Sequence, residues 1–393
     1  MMAFSEKIFR NARIVLEDDV VHGVVRVVGG VIADVSAGTS TDVAGEDLDG
    51  DFLLPGVVEL HTDQVETYYQ PRPQRFWAPV PAVIAHDAQM AASGVTTVLD
   101  ALRIGSGPGD TTISRDAGTL VGAVMHAQNE GLLRAEHFIH LRCEVATPDV
   151  LDIFDELGSH EGVRLVSLMD HTPGQRQYAD IEAFRTYMVG KHRLSPEGFD
   201  EHVAQLHTRS AQYSAVNRIE LASCARGLGL TLAAHDDATA DHVAESSALG
   251  VRISEFPTTL EAAAAAREAG QVVMMGAPNV VRGGSHSGNV AAADLLEAGL
   301  LDVLSSDYVA SSPLQAVFSL VDSGTLTMPE AVALVTANPA RAIGLDDRGT
   351  IAAGRRADLV RVSVHQAGVA VGVGPIDQVP IVRGVWREGR RVA

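Results

Sequence analysis

The stretch that decides the fold is Leu53-Leu54-Pro55-Gly56-Val57-Val58-Glu59-Leu60-His61-Thr62-Asp63. It is short and almost continuously apolar, and it ends in an imidazole and a carboxylate. Such a run is typical of a strand that is buried on both faces of a parallel sheet. His61 and Asp63 are two residues apart, so on an extended chain their side chains point the same way and can hold one metal ion. Because His-x-Asp is common by chance, the pair needs support from the rest of the chain.

That support comes from seven further apolar runs, each followed by polar side chains. The eight predicted strands are Leu53–Leu60, Val95–Asp100, His137–Glu144, Val163–Asp170, Leu230–Ala234, Val251–Glu255, Gln271–Gly276 and Asp302–Ser306. Helix-like stretches alternate with them at Pro81–Ala92, Ser114–Asn129, Thr147–Leu157, Phe199–Gly227, Thr258–Ala269 and Gly288–Ala298. The alternation predicts an α/β fold, a (β/α)8 barrel of the TIM type. An open doubly wound sheet is the alternative, weakened because no G-x-G-x-x-G follows the first strand.

Both ends of the chain predict short strands instead. Ile8–Leu16 and Gly23–Val35 are rich in β-branched residues, as are Ala357–Val364 and Pro380–Val392. Neither end could bury a core alone. We therefore predict one small β-sandwich domain built from residues 1–52 and 350–393, enclosing a barrel of residues 53–349. The long connection after the fourth strand, Thr172 to Glu197, is predicted to be a lid or a binding loop.

Reactive groups of a parallel barrel lie where the strands end, at its C-terminal face. Ionisable or polar residues stand at these ends: Asp63, Asp100, Glu144, Asp170-His171, His235-Asp236-Asp237, Glu255, Asn279 and Asp307. Buried charges need partners or a metal, and imidazoles with carboxylates suit a pair of divalent ions. His171 and His235 are each weak candidates alone. Together, at adjacent strand ends, they are good ligands for a second ion.

Lysine usage bears on how two ions would be bridged. Of the 30 cationic residues 28 are Arg and 2 are Lys. A carboxylated lysine is one bridging group, but Lys7 belongs to the terminal β-domain and Lys191 to the long loop. A carboxylate is therefore predicted to bridge ions about 3.5–4 Å apart, and Glu144 is the best placed.

Composition restricts the class of protein. The 393 residues carry a formal charge of −20, from 50 Asp+Glu against 30 Lys+Arg, and 46% are hydrophobic. The length and apolar content allow a sizeable core, and the acid excess argues against a nucleic-acid or anionic-membrane surface. With no apolar run of membrane-spanning length and only 2 Cys, we expect a cytoplasmic protein.

Two motifs at opposite ends of the predicted barrel resemble the amidohydrolase superfamily. One is Leu54–His61, and the other is Asn338-Pro339-Ala340-Arg341-Ala342 with Gly349–Val360. The resemblance implies a metal-dependent barrel hydrolase in which Asp307 is the last metal ligand and accepts the proton of the attacking water. The superfamily's usual His-x-His is here His61-Thr62-Asp63, which argues against an ordinary deaminase or dihydroorotase.

Finer motifs are similar to one branch, the diphosphatase family that forms the M component of the carbon–phosphorus lyase pathway. They are His61–Glu66 with Gln70–Pro73, Ser167–Tyr178, Ala234–Asp237 and Gly276–Asn289. This whole-chain resemblance implies hydrolysis of α-D-ribose 1-methylphosphonate 5-triphosphate to the 5-phosphate and pyrophosphate. It implies two divalent ions, zinc first, with manganese, iron or nickel as alternatives.

We assign His61, Asp63 and Asp307 to one ion and His171 and His235 to the other, sharing Glu144. Asp236 and Asp237 orient ligands from behind, or one of them replaces an imidazole.

A polyanionic substrate on an acidic protein requires a local cluster of arginines. The predicted substrate-binding residues are Arg72, Arg176, Arg282, Ser285, His286 and Asn289. Arg282 precedes the glycine-rich run Gly283–Gly288, read as a loop that enters a helix and offers backbone N–H groups to phosphate. A plain turn with an N-cap is the alternative.

Two other functions stay open at this point. One is an amidohydrolase that cleaves a C–N bond, such as a cyclic amidase or a deacetylase. The other is a non-catalytic subunit of a phosphonate-processing assembly, which predicts no tightly bound metal. The oligomeric state also stays open, with a homo-oligomer among the options.

Overall fold

The computed structural model describes residues 6–41, 44–106, 116–174, 176, 185, 196–285, 288–366 and 378–393. The strands are β1 Glu6–Val15, β2 Val20–Val28, β3 Val31–Ala37, β4 Glu46–Asp47, β5 Phe52–Pro55, β6 Val57–Thr62, β7 Val95–Ile104, β8 Glu136–Glu144, β9 Val163–Met169, β10 Thr231–His235, β11 Ile253–Glu255, β12 Val272–Gly276, β13 Val303–Ser305, β14 Leu359–Gln366, β15 Gln378–Arg387 and β16 Arg390–Arg391. The helices are α1 Gln64–Tyr69, α2 Pro79–Ala92, α3 Ala117–Asn129, α4 Val150–Leu157, α5 Pro196–Gly227, α6 Ala240–Ala248, α7 Leu260–Glu268, α8 Ala277–Arg282, α9 Ala292–Glu297, α10 Ser312–Asp322, α11 Met328–Ala333 and α12 Ala337–Ala342.

Strands β6 to β13 form the barrel. They are parallel and neighbour one another in chain order, and an isolated parallel bridge between Thr62 and Asp307 joins the last strand to the first. Glu59 strengthens this closure, since its carboxylate accepts from the backbone N–H of His61 (2.7 Å) and of Ser306 (2.6 Å). The predicted barrel is thus confirmed, and the doubly wound alternative is wrong.

Helices alternate with these strands and cover the outside of the barrel. Several begin where the sequence supplies a capping side chain. The Thr239 and Thr259 hydroxyls accept from the backbone N–H of the third residue that follows, at the starts of α6 and α7. Thr327 and Glu330 form a reciprocal capping box at the start of α11.

The second sheet is mixed and contains strands from both ends of the chain. Its order is β16-β15-β14-β5-β1-β2-β3, with β4 beside β1. Phe9 and Trp386, from opposite ends of the sequence, pack edge to face with ring centroids 4.7 Å apart. A single β-unit drawn from both termini was predicted, and this sheet is its structural counterpart. The predicted domain boundaries themselves stay a prediction.

The predicted first barrel strand is in fact two strands that meet at Gly56. β5 pairs with β1 and β14 of the terminal sheet, while β6 pairs with β7 of the barrel. A Cβ on Gly56 would lie 2.1 Å from the Thr96 hydroxyl oxygen, so only glycine allows this close crossing. Leu53–Pro55 thus continue the terminal sheet beyond residue 52, because an apolar run does not reveal which sheet its backbone joins.

The second barrel strand is longer than predicted. β7 continues to Ile104, so Asp100 lies within the strand and not at its end. Asp100 has the same parity as Leu102 and Ile104, which pack in the cluster between the sheet and the helices. Its carboxylate accordingly bonds to His86 of α2 and His137 of β8, outside the barrel mouth. The placement of Asp100 among the strand-end groups was therefore wrong.

The glycine-rich run follows a helix and does not open one. Asn279 belongs to α8, which ends at Arg282, and the next described helix starts at Ala292. The predicted start of this helix at Gly288 was therefore wrong, because the helix begins four residues later, at Ala292. Asn279 ties the two segments together, since its side chain accepts from the Ala292 N–H at 2.9 Å.

Most of the predicted lid, from residue 177 to residue 195, lies outside the described residues apart from residue 185. Its C-terminal neighbour α5 is a long helix that leads into β10. Among the described helices, none has both the length and the apolar content needed to cross a membrane.

Candidate metal centre

The carboxyl ends of β6, β8, β9, β10 and β13 bring the predicted metal ligands to one mouth of the barrel. These are His61, Asp63, Glu144, His171, His235 and Asp307. The rings of His61 and His235 lie 5.8 Å apart between centroids, and those of His171 and His235 lie 5.7 Å apart. Residues separated by up to 246 positions thus meet at one place, as the barrel prediction required.

His61 is oriented by a partner that the sequence did not single out for this role. Its Nδ1 lies 2.5 Å from Oε1 of Glu255 at the end of β11. Because a carboxylate can only accept, Nδ1 donates and the lone pair of Nε2 is left for a ligand. Burial lowers the pKa of His61 to about 4, despite the opposing charge of Glu255. A neutral imidazole is the form that binds a metal.

Glu255 also organises a second inward histidine. Ser167 donates to the other Glu255 oxygen, and His140 Nε2 lies 2.5 Å from the Ser167 hydroxyl oxygen. His140 Nδ1 lies 3.0 Å from the Leu60 carbonyl oxygen. Burial lowers the pKa of His140 to about 3. His140 is thus connected to the ligand His61 through Ser167 and Glu255.

Glu144 and His171 form a direct pair. His171 Nδ1 lies 2.5 Å from Glu144 Oε2, and the His171 backbone N–H donates to Glu144 Oε1 at 3.1 Å. Arg103 lies 3.3 Å from the same carboxylate. Burial alone would raise the pKa of Glu144, but His171 and Arg103 bring it to about 2. The carboxylate is therefore charged and available to a cation.

Asp236 lies among the imidazoles and not behind them. Its Oδ2 is 2.6 Å from His235 Nδ1 and 3.9 Å from His171 Nε2. Ligand atoms of these three residues all lie within 4.8 Å of one another. Asp236 has a φ of 62°, a left-handed backbone conformation that is uncommon outside glycine and is often kept at functional sites. Of the two alternatives weighed for Asp236, this geometry favours direct ligation.

Asp307 also holds a strained backbone, with a φ of 52°. Gly276 of the neighbouring strand leaves room for it, since a Cβ there would approach the Asp307 carboxylate to 3.3 Å. Burial, and then the charge of Asp63, raise the pKa of Asp307 to about 7. Carboxylates that raise one another's pKa in this way are stabilised when a cation joins them.

These side chains fit a divalent metal ion. Neutral imidazoles and charged carboxylates are the ligands that zinc, manganese, iron and nickel share. His235 Nε2 is buried and has no hydrogen-bond partner among the described atoms, which would be costly unless a ligand fills the place. The donor set is therefore complete enough to hold a metal.

Asp237 has a different surrounding from Asp236. It is buried, accepts from Ser246 at 2.9 Å and pairs with the Arg176 guanidinium. Arg176 is only 3% exposed and also lies 3.3 Å from Glu245. Arg176 thus already has carboxylate partners in the wall of the site, and its predicted contact with substrate stays a prediction.

The other predicted substrate-binding residues lie at the rim. Arg282 is exposed, and its guanidinium donates to the Tyr308 hydroxyl at 3.4 Å, next to Asp307. Ser285 and Asn289 lie on the loop after α8, and His286 lies outside the described residues. Arg72 is exposed and donates to the Pro71 carbonyl. Arg282 is therefore close to the mouth, while the side-chain bond of Arg72 within the described part of the chain is to its own turn.

The sequence reasoning did not single out Arg142 and Glu66 of the mouth as site residues. Arg142 is the inward residue of β8 just before Glu144, and Arg103 is its neighbour on β7. Glu66 of α1 has a buried oxygen that meets no hydrogen-bond partner among the described residues, and burial raises its pKa to about 7. Alternation along β8, with His140, Arg142 and Glu144 on one side, was the available signal.

A separate buried cluster lies outside the barrel mouth. Asp100 joins His86 Nε2 and His137 Nδ1, each at 2.8 Å, and His137 Nε2 lies 3.3 Å from Asp87. Despite burial, the two aspartates raise the pKa of His137 to about 9. A protonated imidazole shared by two carboxylates is already neutralised, so we treat the cluster as structural.

The fold and this donor set define a metal-site hydrolase barrel, and the chain belongs to the amidohydrolase family. The sequence pattern of that family (Amidohydro_3) matches residues 185–393. The chain is 45% identical over 387 residues to the alpha-D-ribose 1-methylphosphonate 5-triphosphate diphosphatase of Escherichia coli (strain K12), covering 98% of this chain and 100% of that protein.

Solved structures show the same fold at low identity. N-acetyl-D-glucosamine-6-phosphate deacetylase from Mycobacterium smegmatis matches with a TM-score of 0.62 and 18% identity, over 98% of this chain and 100% of that one. 5-Methylcytosine deaminase from Klebsiella pneumoniae matches with a TM-score of 0.62 and 15% identity, over 98% and 97%. At these low identities the likeness concerns the fold alone.

Proposed function

We propose that this protein is a metal-dependent diphosphatase that hydrolyses α-D-ribose 1-methylphosphonate 5-triphosphate to the 5-phosphate and pyrophosphate. The observation that carries the proposal is the 45% identity to the named diphosphatase over the full length of that protein. The site chemistry agrees, because imidazoles and carboxylates converge at the barrel mouth with arginines beside them. The reaction belongs to phosphonate breakdown, and a cytoplasmic location fits it.

We assign two divalent ions, zinc first, to the mouth. His61, Asp63 and Asp307 would hold one ion, and His171, His235 and Asp236 the other, with Glu144 between them. When bound, such ions make a coordinated water more acidic and neutralise charge on phosphoryl oxygens. His61 keeps its ligand orientation through Glu255, and His235 through Asp236.

The reaction needs a proton acceptor and anion stabilisation from the chain itself. The water oxygen forms a bond to the phosphorus next to the ribose 5-oxygen, and the bond from that phosphorus to the pyrophosphate oxygen breaks. Asp307 accepts the water's proton, and its position at the end of β13 faces the same space as His235. Arg282 at the rim stabilises charge on the departing pyrophosphate.

The test is phosphorus NMR of the ribosyl triphosphate before and after addition of metal-loaded protein. We expect the three triphosphate signals to be replaced by those of pyrophosphate and a phosphate monoester, with the phosphonate signal retained. Release of orthophosphate alone, or amine release from a panel of cyclic amides with an unchanged triphosphate, would refute the proposal. Elemental analysis of the same protein separates an enzyme from a metal-free subunit.

A further inference from the structure

Two arginines stand side by side at the catalytic end of the barrel. Arg103 of β7 and Arg142 of β8 are register partners in the parallel pairing. Each lies between two residues that pack toward the helices, namely Leu102 and Ile104 for the first. Because side chains alternate along a strand, both guanidinium groups are directed into the barrel mouth.

Neither guanidinium has a full set of partners. The Nε atoms of Arg103 and Arg142 are buried and have no hydrogen-bond partner among the described atoms. Arg103 has Glu144 at 3.3 Å, while no described carboxylate lies within 4.0 Å of Arg142. Like charges on directly paired residues repel, and a half-buried cation without an anion is costly. The pair is thus left incomplete by the protein's own residues.

The position of Arg142 places this positive charge at the reacting centre. Arg142 lies two residues before Glu144 on β8, and the two side chains are on the same face of the strand. Arg142 therefore lies next to the carboxylate that is assigned to both ions. Arg176, a buried arginine near this face, already pairs with Asp237 and Glu245.

We propose that Arg103 and Arg142 form a clamp that binds the phosphoryl oxygens of the substrate's triphosphate chain. The proposal rests on the proposed function and names the residues that recognise its polyanion. Two planar guanidinium groups on adjacent strands match oxygens on successive phosphoryl groups, where a monoester presents only one group. A clamp of this kind also explains how a chain of charge −20 attracts a polyanion.

The test is calorimetric titration of inorganic tripolyphosphate and ribose 5-phosphate into metal-loaded protein. We expect Arg142→Gln and Arg103→Gln each to weaken tripolyphosphate binding at least tenfold, and ribose 5-phosphate binding far less. The thermal midpoint should stay the same or rise, because removing one of two repelling charges relieves the free protein. Arg142→Lys should restore only part of the affinity, since it keeps the charge and loses the fork.

The matched control is Arg252→Gln, which makes the same chemical change in an exposed arginine before β11, at the opposite end of the barrel. Its tripolyphosphate affinity should equal that of the wild type. Metal content, measured by elemental analysis, should be the same in all variants. Affinity within twofold of the wild type in both Gln variants, or no tripolyphosphate binding by the wild type, would overturn the clamp.

Failure of the clamp can be told apart from failure of the proposed function. If the wild type releases pyrophosphate from the ribosyl triphosphate and both Gln variants keep its KM, the clamp is wrong and the function stands. If the variants lose tripolyphosphate binding while the wild type leaves the ribosyl triphosphate intact, the clamp stands and the function is wrong.

Discussion

At the scale of single residues, Glu255 is the side chain that orients the predicted metal ligand His61. It bonds to His61 Nδ1 at 2.5 Å and receives the Ser167 hydroxyl, so it holds the imidazole and its tautomer in place. Strand β11, which carries it, is three residues long and fully buried. Such a partner acts on the metal through the ligand that it orients.

We expect Glu255→Gln to weaken metal affinity about 10- to 100-fold, because an amide can no longer hold the Nδ1–H as a charged acceptor does. Competition with a chromophoric chelator measures the change. Glu268→Gln, an exposed glutamate at the end of α7, is the control and should leave the affinity unchanged. Equal metal affinities of the two variants would show that Glu255 does not support His61 as a metal ligand.

A second residue-scale prediction concerns proton transfer. Asp307→Asn should lower kcat by about 10²–10⁴-fold or more, the usual contribution of a positioned general base, because the amide cannot accept the proton. Circular dichroism and the unfolding midpoint, both measured on metal-free protein, should stay close to those of the wild type. Turnover at the wild-type rate would exclude Asp307 as the proton acceptor.

At the scale of elements, the contact of α2 with β7 and β8 depends on a buried ionic cluster. Asp87 and His86 come from α2, Asp100 from β7 and His137 from β8. Asp87 also accepts from the backbone N–H groups of Arg134 and Ala135, each at 2.9 Å, which ties the chain ahead of β8 to the helix. Buried ions this close stabilise only as a complete set.

The pH dependence of stability follows from His137, whose folded pKa of about 9 lies above its ordinary value of 6.5. Its stabilisation is therefore complete below about pH 6.5 and is lost as pH rises through about 9. We expect the free energy of unfolding, from urea titrations, to fall between pH 7 and 9.5. A flat or rising profile would contradict the protonated cluster.

Asp100→Asn is the control for this profile. It should cost about 3–5 kcal/mol at pH 7, because it leaves buried charge without its partner, and it should flatten the fall above pH 7. Glu59, whose pKa burial raises to about 8, also lowers the stability as pH rises, and it does so in the wild type and in Asp100→Asn alike. The difference between the two profiles therefore isolates the cluster, and kcat per folded molecule should stay unchanged.

At the scale of the whole molecule, metal binding links strands that are far apart in the sequence. His61 lies on the first barrel strand, Asp307 follows the last, and His171 and His235 come from the middle of the barrel. Ions held by these ligands are bound only by the folded chain, so they add to stability by mass action. At a free metal concentration 100 times the Kd this amounts to about 2.7 kcal/mol.

We therefore expect a strong chelator to abolish turnover and to lower the thermal midpoint, and added zinc to restore both. His235→Ala should show a smaller chelator-induced shift, because the wild-type ligand set is already broken. Differential scanning fluorimetry with and without chelator measures the shift. An unchanged thermal midpoint in the wild type would mean that metal binding does not stabilise the folded protein.

The sequence by itself determined the barrel, the terminal β-unit and the ends of most barrel strands. These features follow from short-range properties, namely apolar runs of strand length, polar residues just after them and helix-like stretches between them. Counting lysines also directed the bridging role to Glu144, which lies beside His171 in the fold. His61, His171 and His235 were placed at one mouth for the same reason, because parallel strands end on one side.

Only the tertiary structure decided which way side chains point and which distant residues meet. Asp100 faces the helices because it has the same parity as Leu102 and Ile104 on β7, which extends four residues past it, a boundary that the apolar pattern does not reveal. Glu255 and His61 are 194 residues apart, and Arg103 meets Arg142 only through strand register. Register and parity depend on the packing of the whole barrel, and a shift of one residue turns each side chain to the other face.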